Sequence, residues 1–145
     1  MEQIIFVCTG NTCRSPMCAG FFRARGGEKR LGVQASSAGL FTTDGLPASK
    51  NAVIAAGELG ADISAHRSRQ LTAAMLDKVK YLVCMTGAHY DRLVEQYPQY
   101  ADKIFTLAST DISDPFGGDL TVYRHAAWQI DEAVARLIDG LEKRA

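Results

Sequence analysis

The residues best suited to chemistry lie together in one stretch that reads Cys8-Thr9-Gly10-Asn11-Thr12-Cys13-Arg14-Ser15. A loop that leads into a helix points successive backbone N–H groups into a concavity, and the helix start adds positive potential. Gly10 and Asn11 tolerate the left-handed backbone that such a loop needs, and Arg14 can direct two hydrogen bonds to phosphate oxygens. The same surroundings favour a thiolate at Cys8, to which Ser15 could donate a hydrogen bond. The stretch therefore predicts a nucleophilic cysteine in a phosphate-binding loop.

Two simpler interpretations of the cysteines compete with this one. An isolated cysteine at a strand end is usually a packing residue. Here the strand, the Gly-Asn pair, the arginine and Ser15-Pro16 follow one another in register, which favours the functional interpretation. Cys8, Cys13 and Cys18 are spaced five apart, which matches neither zinc-finger pairs nor the usual iron–sulfur spacings, and Cys84 is remote in sequence. We therefore expect no metal site.

A second group must protonate the atom that leaves phosphorus if the chemistry is to be fast. Three carboxylates are candidates because they lie close together late in the chain: Asp111, Asp114 and Asp119. Asp114 is followed by Pro, Phe and two glycines, a composition that is also typical of a simple turn. The residue types alone leave the choice among the three carboxylates open.

Alternating strands and helices must position these groups. A continuous apolar run predicts a buried strand at residues 3–7, a second buried strand is predicted at 81–85, and shorter strands are predicted at 33–37 and 103–107. Helices are predicted from Ser15-Pro16 to about Gly26-Gly27, over 47–59, for a short stretch after Leu71-Thr72, and over 86–97. In the first helix, Ser15 is expected to cap the N-terminus and Pro16 to occupy the first turn.

The last helix has the clearest pattern in the chain. Its apolar residues recur in steps of four and three: Tyr123, Ala127, Ile130, Val134, Leu137 and Leu141. Asp119 at its start and Lys143-Arg144 at its end match the helix dipole. Strands that alternate with helices predict an α/β fold with a parallel sheet and helices on both faces. Ligands bind such folds beyond the carboxyl ends of the strands, where the stretch from Cys8 to Arg14 lies.

The bulk properties restrict the class of protein. The chain has 145 residues, of which 47% are hydrophobic and 22% charged, as expected for a single globular domain over residues 1–145. Sixteen basic residues balance sixteen acidic ones, so nothing in the charge favours nucleic acid or a membrane surface as a partner. No signal peptide or membrane-spanning stretch is evident. We therefore expect a cytoplasmic protein whose four cysteines do not form a disulfide framework.

The stretch around Cys8 and Arg14 resembles the signature of the low-molecular-weight protein tyrosine phosphatases. Ser37-Ala38-Gly39 looks like the second characteristic loop of that family, and Asp114-Pro115 stands where its general acid lies. The resemblance implies a three-layer fold whose four parallel strands run in the order 2-1-3-4, and catalysis through a phosphocysteine at Cys8 without any cofactor. It further implies that the loop holds a phosphate or sulfate anion, and that His66 supports the loop asparagine.

The substrate is expected to be a phosphorylated protein. Thr12, together with the run Asp-Pro-Phe-Gly-Gly after residue 113, resembles the protein arginine phosphatase branch, because tyrosine-specific members carry a bulky aliphatic residue in place of Thr12. Phe116, Leu40 and Phe41 are expected to line the slot for the substrate side chain. Phosphotyrosine is the alternative substrate, since an aromatic ring also suits an apolar slot.

Other functions fit the sequence less well. Arsenate reductases share this type of loop, but they use two further cysteines in succession, and no cysteine follows Cys84. A phosphate-binding module without catalysis would not need both a nucleophile and an acid. Cys13 could form a protective disulfide with Cys8, or it could simply pack beneath the loop. Cys18 is expected to pack within its helix, and His89 and His125 to lie on the surface or pack between helices.

Overall fold

The computed structural model describes residues 1–144, and its helices and strands alternate along the chain. The strands are β1 Gln3–Cys8, β2 Gln34–Gly39, β3 Val79–Cys84 and β4 Ile104–Thr106. The helices are α1 Arg14–Ala24, α2 Gly27–Leu31, α3 Lys50–Glu58, α4 Gly87–Gln96 and α5 Leu120–Arg144, with 3₁₀ helices at Ala73–Leu76 and Pro98–Lys103. All strand pairs are parallel and the order is β2-β1-β3-β4, which confirms the predicted α/β fold.

The central strand β1 sends alternate side chains into two apolar layers. Ile4 and Phe6 pack into a cluster with residues of α1, α3 and α5, and Ile5 and Val7 pack into a second cluster that includes Leu93 of α4. Because side chains of a strand alternate between its faces, a continuous apolar run needs cover on both sides. The sheet is therefore the middle of three layers, as predicted.

The predicted stripe on the last helix forms one wall of the larger cluster. Most of it is buried there, and Leu137 is half-buried against the same cluster. Asp119 precedes the helix and its carboxylate accepts a hydrogen bond from the N–H of Val122 at 3.1 Å, as expected of a helix cap. In the part of the chain that the structure describes, no helix is both long and apolar enough to cross a membrane.

Two local predictions were wrong at helix starts. Ser15 does not cap α1: the helix begins at Arg14, and the serine hydroxyl is used inside the loop instead. The predicted helix over 47–59 begins only at Lys50, because Pro47 pairs with Arg67 in an isolated β-bridge. The first helix ends at Ala24, close to the predicted Gly26-Gly27, and Gly26 takes the left-handed conformation (φ 74°) before the short α2, which the sequence did not predict.

Candidate active site

The loop between β1 and α1 encloses a cavity of about 220 Å³ at the carboxyl edge of the sheet. Nine residues line it: Cys8, Thr9, Gly10, Asn11, Thr12, Cys13, Arg14, Asp114 and Phe116. Seven of these are the loop itself, and the other two come from the segment that precedes α5. The fold thus brings the predicted nucleophile and the predicted acid to one cavity although about a hundred residues separate them in sequence.

Two donors converge on the buried thiol of Cys8. The backbone N–H of Asn11 points at the sulfur from 3.3 Å, and the hydroxyl of Ser15 lies 3.0 Å from it. Cys8 is the last residue of β1, so its sulfur sits where the loop begins to turn. N–H and O–H donors at these distances suit a negatively charged sulfur, which is the form of cysteine that attacks phosphorus.

Asn11 holds the loop in shape from its centre. It has a left-handed backbone (φ 57°) and is fully buried. Its side-chain amide donates to Ser15 at 2.7 Å and to Ser37 at 3.0 Å, and its amide oxygen accepts from the N–H of Arg69 at 3.0 Å. The ring of His66 donates to the backbone carbonyl of Asn11 at 2.7 Å. The side-chain amide nitrogen, the side-chain oxygen and the backbone carbonyl of Asn11 therefore all have hydrogen-bond partners, as buried polar groups require.

Burial lowers the pKa of His66 below its ordinary value, and the positive charges of nearby arginines lower it further, although the hydrogen bond to Asn11 acts in the opposite direction. The structure therefore places His66 beneath the loop, in contact with the asparagine that it was expected to support. Its ring N–H serves as a hydrogen-bond donor to the loop.

Arg14 is positioned by the segment before α5. Its Nη1 donates to the carbonyl of Ile112 at 2.9 Å, and its Nη2 lies 3.5 Å from a carboxylate oxygen of Asp114. The side chain is only 6% exposed. Its Nε is buried and has no hydrogen-bond partner within residues 1–144. Because a buried unpaired donor is unfavourable, this N–H marks a place for an anion.

Among the three candidate carboxylates, only Asp114 lines the cavity. Asp111 accepts from the N–H of Gly87 at 2.9 Å, and Asp119 caps α5. Asp114 itself is half exposed, with 51% of its side chain accessible, and its other oxygen accepts from the N–H of Phe116 at 3.0 Å. The geometry favours Asp114 as the group that can reach a leaving atom in the cavity.

The predicted specificity residues separate into two groups. Thr12 and Phe116 line the cavity, and the ring of Phe116 is 75% exposed. Leu40 and Phe41 instead line a neighbouring open groove of about 610 Å³, which shares Gly10 and Thr12 with the catalytic cavity. The structure therefore does not place Leu40 and Phe41 in the slot itself. They follow β2, whose end lies beside the loop but outside the cavity.

The remaining cysteines are buried away from the nucleophile's donors. The thiol of Cys13 lies 3.1 Å from the hydroxyl of Ser49 and 3.3 Å from that of Tyr123. Burial, reinforced by this contact, raises the pKa of Tyr123 to about 12. Burial also raises the pKa of Cys84 to about 12, and that of Cys18 well above its usual range. Neither Cys84 nor Cys18 lines the cavity, so a thiol relay through them lacks structural support.

One contact of the loop was missed by the sequence argument. His89 is buried rather than at the surface, and its Nε2 lies 2.9 Å from the hydroxyl of Thr9. Its Nδ1 is buried without a partner within the described residues. Burial, and after it the charge of Arg14, lowers the pKa of His89. The signal that could have found it is its place in the first turn after β3, at the same sheet edge as Cys8.

A second contact that the sequence argument missed explains why residue 39 is a glycine. The Cβ that any other residue would carry at Gly39 would meet the carbonyl oxygen of Thr9 at 2.8 Å and the Cβ of Asn11 at 3.1 Å. The end of β2 therefore packs directly against the loop, and the N–H of Phe41 donates to that same carbonyl of Thr9 at 3.0 Å. Only a glycine permits this close approach.

Comparison with known proteins agrees with this geometry. A protein-arginine-phosphatase of Geobacillus stearothermophilus is 42% identical, over 97% of this chain and 96% of its own length. One of Bacillus subtilis (strain 168) is 35% identical over 97% of both chains. The solved structure of the YwlE arginine phosphatase mutant with a phosphorylated active-site serine superposes with a TM-score of 0.90 at 34% identity, covering 98% and 97% of the two chains. Residues 3–145 match the family described as low molecular weight phosphotyrosine protein phosphatase, and the chain belongs to that family.

Proposed function

We propose that this protein is a cysteine-dependent phosphatase that removes the phosphoryl group from phosphoarginine in proteins. The observation that carries the proposal is that Arg14, whose Nε is buried and unpaired within the described residues, lines the same cavity as Cys8 and Asp114. The cavity thus combines an anion donor, a nucleophile and an acid. The two relatives named as protein-arginine-phosphatases support the choice of substrate.

In the first half of the proposed reaction, the sulfur of Cys8 attacks phosphorus opposite the leaving nitrogen. The S–P bond forms as the P–N bond breaks, and Asp114 gives its proton to the departing guanidino nitrogen. Backbone N–H groups of the loop and the guanidinium of Arg14 stabilise the charge on the three phosphoryl oxygens. The products of this half are unmodified arginine and a phosphocysteine.

In the second half, water attacks phosphorus and the S–P bond breaks. Asp114, now ionised, accepts the proton of that water, and the sulfur leaves as a thiolate stabilised by Ser15 and the N–H of Asn11. Orthophosphate then departs. The phosphorylated serine in the related YwlE structure supports a covalent intermediate at the corresponding place.

The preference for arginine rests on Thr12 and Asp114. A hydroxyl on the cavity wall can hydrogen-bond a polar guanidinium or orient the attacking water, which an aliphatic side chain cannot do. The half-exposed carboxylate of Asp114 can pair with the guanidinium before it transfers its proton. Phe116 offers a flat apolar face at the mouth of the cavity, on which a guanidinium plane can stack.

Phosphotyrosine is the second candidate substrate, because the family is described by that activity and the exposed ring of Phe116 could equally stack on a phenyl ring. The deciding experiment compares kcat/KM for matched phosphoarginine and phosphotyrosine peptides with the wild type and Thr12→Ile. We expect the wild type to prefer phosphoarginine and Thr12→Ile to shift the ratio toward phosphotyrosine. A wild type that prefers phosphotyrosine would contradict the arginine assignment while leaving the cysteine mechanism in place.

We also propose that this chemistry takes place in the cytoplasm, because a thiolate nucleophile needs a reducing compartment. The four cysteines are free and buried in the structure. Fractionation of cells that produce the protein, followed by thiol labelling, tests the location. Recovery outside the cytoplasm with oxidised cysteines would contradict it.

A protective disulfide between Cys8 and Cys13 remains a proposal. Peroxide would oxidise the thiolate of Cys8 to a sulfenic acid, which then condenses with the thiol of Cys13 and releases water. Cys13 must first give up its contacts with Ser49 and Tyr123. Mass spectrometry after mild peroxide treatment tests this, with Cys13→Ser as the control. Overoxidised Cys8 without a Cys8–Cys13 linkage in the wild type would end the proposal.

A further inference from the structure

A second polar cavity, of about 320 Å³, lies behind the catalytic loop. It shares no lining residue with the catalytic cavity. Its polar lining includes Arg23, Ser36, Asp62, His66, Arg67 and Arg69. Three of the sixteen basic residues of a chain with no net charge thus face one cavity. Such a concentration of guanidinium groups in a concave site is typical of anion recognition.

Each of the three arginines donates to a backbone carbonyl and still has other N–H donors without a stated partner. Nη2 of Arg23 donates to the carbonyl of Ala35 at 2.7 Å, Nη1 of Arg67 to that of His66 at 2.8 Å, and Nε of Arg69 to that of Ser37 at 3.0 Å. Each guanidinium carries five N–H donors. The backbone bonds therefore orient the three groups and leave further N–H donors for a ligand.

The carboxylates near this cavity offset only part of its positive charge. Asp62 already accepts two hydrogen bonds, from the N–H and the hydroxyl of Ser64 at 2.9 and 2.6 Å. Glu28 lies 3.9 Å from Nε of Arg23 and accepts the N–H of Ala35 at 2.8 Å. Three guanidinium groups line the cavity, against one carboxylate in its wall and one beside Arg23, so an excess of positive charge remains.

We propose that this cavity is a second anion site that binds a phosphate group, either as free orthophosphate or as a second phosphoryl group on a phosphorylated protein. Phosphate fits better than a carboxylate because its three or four oxygens can accept from several guanidinium groups at once. The imidazole of His66 forms part of the cavity wall and also donates to the carbonyl of Asn11. An anion bound there therefore lies one side chain away from the catalytic loop.

Binding of free phosphate can be tested without any turnover. Sodium phosphate is titrated into the ¹⁵N-labelled protein, and amide shifts of Ala65 and Arg67 are followed separately from those of Gly10 and Asn11. We expect two saturable responses with different dissociation constants. Arg67→Gln, which removes an exposed side chain bonded only to its neighbour, should weaken the response at Ala65 about tenfold. Arg92→Gln, the same change of charge on α4, should leave it unaltered.

The second source of phosphate is tested by kinetics, and this arm rests on the proposed function. Peptides with one and with two phosphorylated residues, at several spacings, are compared in wild type, Arg67→Gln and Arg92→Gln. If the occupant belongs to the substrate, one spacing lowers KM in the wild type and in Arg92→Gln, and Arg67→Gln removes that gain while kcat on the singly phosphorylated peptide stays the same. If free phosphate is the occupant, only the titration responds to Arg67→Gln.

The inference is overturned if the phosphate shifts are confined to the catalytic loop and no doubly phosphorylated peptide gains affinity. It is overturned equally if Arg92→Gln weakens binding as much as Arg67→Gln, because the effect is then one of overall charge. Equal affinity for succinate would contradict phosphate as the ligand. None of these results depends on whether the enzyme prefers arginine or tyrosine, so the failure of one proposal can be told from that of the other.

Discussion

The two parts of the catalytic cavity are built in opposite ways. The loop from Cys8 to Ser15 is largely buried and is fixed by hydrogen bonds to distant parts of the chain. The side chain of Asn11, for example, is hydrogen-bonded to Ser15, Ser37 and the N–H of Arg69. The segment that carries Asp114 and Phe116 is exposed, and Asp114 reaches the loop only through a 3.5 Å contact with Arg14. The proposed nucleophile and the anion donors are thus prearranged, whereas the proposed acid is exposed to solvent.

The contrast between the buried loop and the exposed segment indicates which step of the proposed reaction needs a rigid structure. Stabilising a phosphoryl group in its transition state requires donors that are already aimed at the oxygens, and so reorganise little during the reaction. Protonating a leaving group requires only that the acid reach it, and the exposed segment can adapt to side chains of different shape. Changes in the loop should therefore affect both stability and rate, and changes in the acid segment mainly the rate.

The largest effect is expected from Cys8→Ser. Without the thiolate there is no nucleophile of comparable reactivity, and kcat should fall by about 10⁴-fold or more. The assay is steady-state hydrolysis of a generic aryl phosphate, with orthophosphate binding as a control for an intact loop. Near-normal turnover by the purified variant would end the proposed mechanism.

The next effect in size is expected from Asp114→Asn, which keeps the shape of the acid but cannot donate its proton in the same way. We expect kcat to fall by about 10²- to 10⁴-fold, with little change in the free energy of unfolding because the side chain is half exposed. Asp111→Asn is the matched control, since that carboxylate serves the N–H of Gly87 outside the cavity. Equal losses in both variants would contradict the assignment of Asp114.

Stability measurements should separate the two parts directly. Asn11→Gly keeps the left-handed backbone but removes three side-chain hydrogen bonds, so the free energy of unfolding should fall by about 2–4 kcal/mol. Phe116→Ala, at a ring that is 75% exposed, should change it by less than about 0.5 kcal/mol. Urea unfolding of both variants measures the contrast. Similar losses would show that the acid segment is as integral to the fold as the loop.

The smallest effect concerns pH. Burial holds the pKa values of His66 and His89 below their ordinary value of 6.5, so the unfolded chain binds more protons at these residues than the folded one. The free energy of unfolding should therefore be constant above the ordinary value and fall as the pH drops through and below it. Urea unfolding at pH 7.5 and 5.5 tests this, and His89→Asn should reduce the difference. A protein that is more stable at pH 5.5 would contradict it.

The sequence predicted the parts of the site whose residues are close together in the chain, and it missed the contacts between residues that are far apart in the chain. The loop was recognisable because its nucleophile, left-handed position, arginine and serine are contiguous and each residue type has a direct chemical reason. Asp114 was selected only through family resemblance, since three carboxylates of one segment look alike without a fold. The contacts of His89 and Gly39 with Thr9 depend on which strands are neighbours, and a pattern of residue types does not specify that.

Secondary structure was likewise predictable only where a segment is long enough to carry a pattern of apolar residues. The strands and the long helices follow from apolar runs and periodicity, and their order confirmed the predicted sheet. The five-residue α2 and the 3₁₀ helix at Pro98–Lys103 have too few residues for a periodic signal. Leu40 and Phe41 line a neighbouring groove instead of the cavity, and an apolar residue next to a site gives no indication of the direction in which its side chain points.

The contacts of Cys13 and Arg14 have a consequence for how the protein is made. Cys13 touches Tyr123 across 110 residues, and Arg14 is anchored on Ile112 across 98. During synthesis the nucleophile emerges from the ribosome first and its supports emerge last. The active-site loop therefore lacks these supporting contacts until α5 has been synthesised. We expect the active site to form in one late step of folding rather than gradually along the nascent chain.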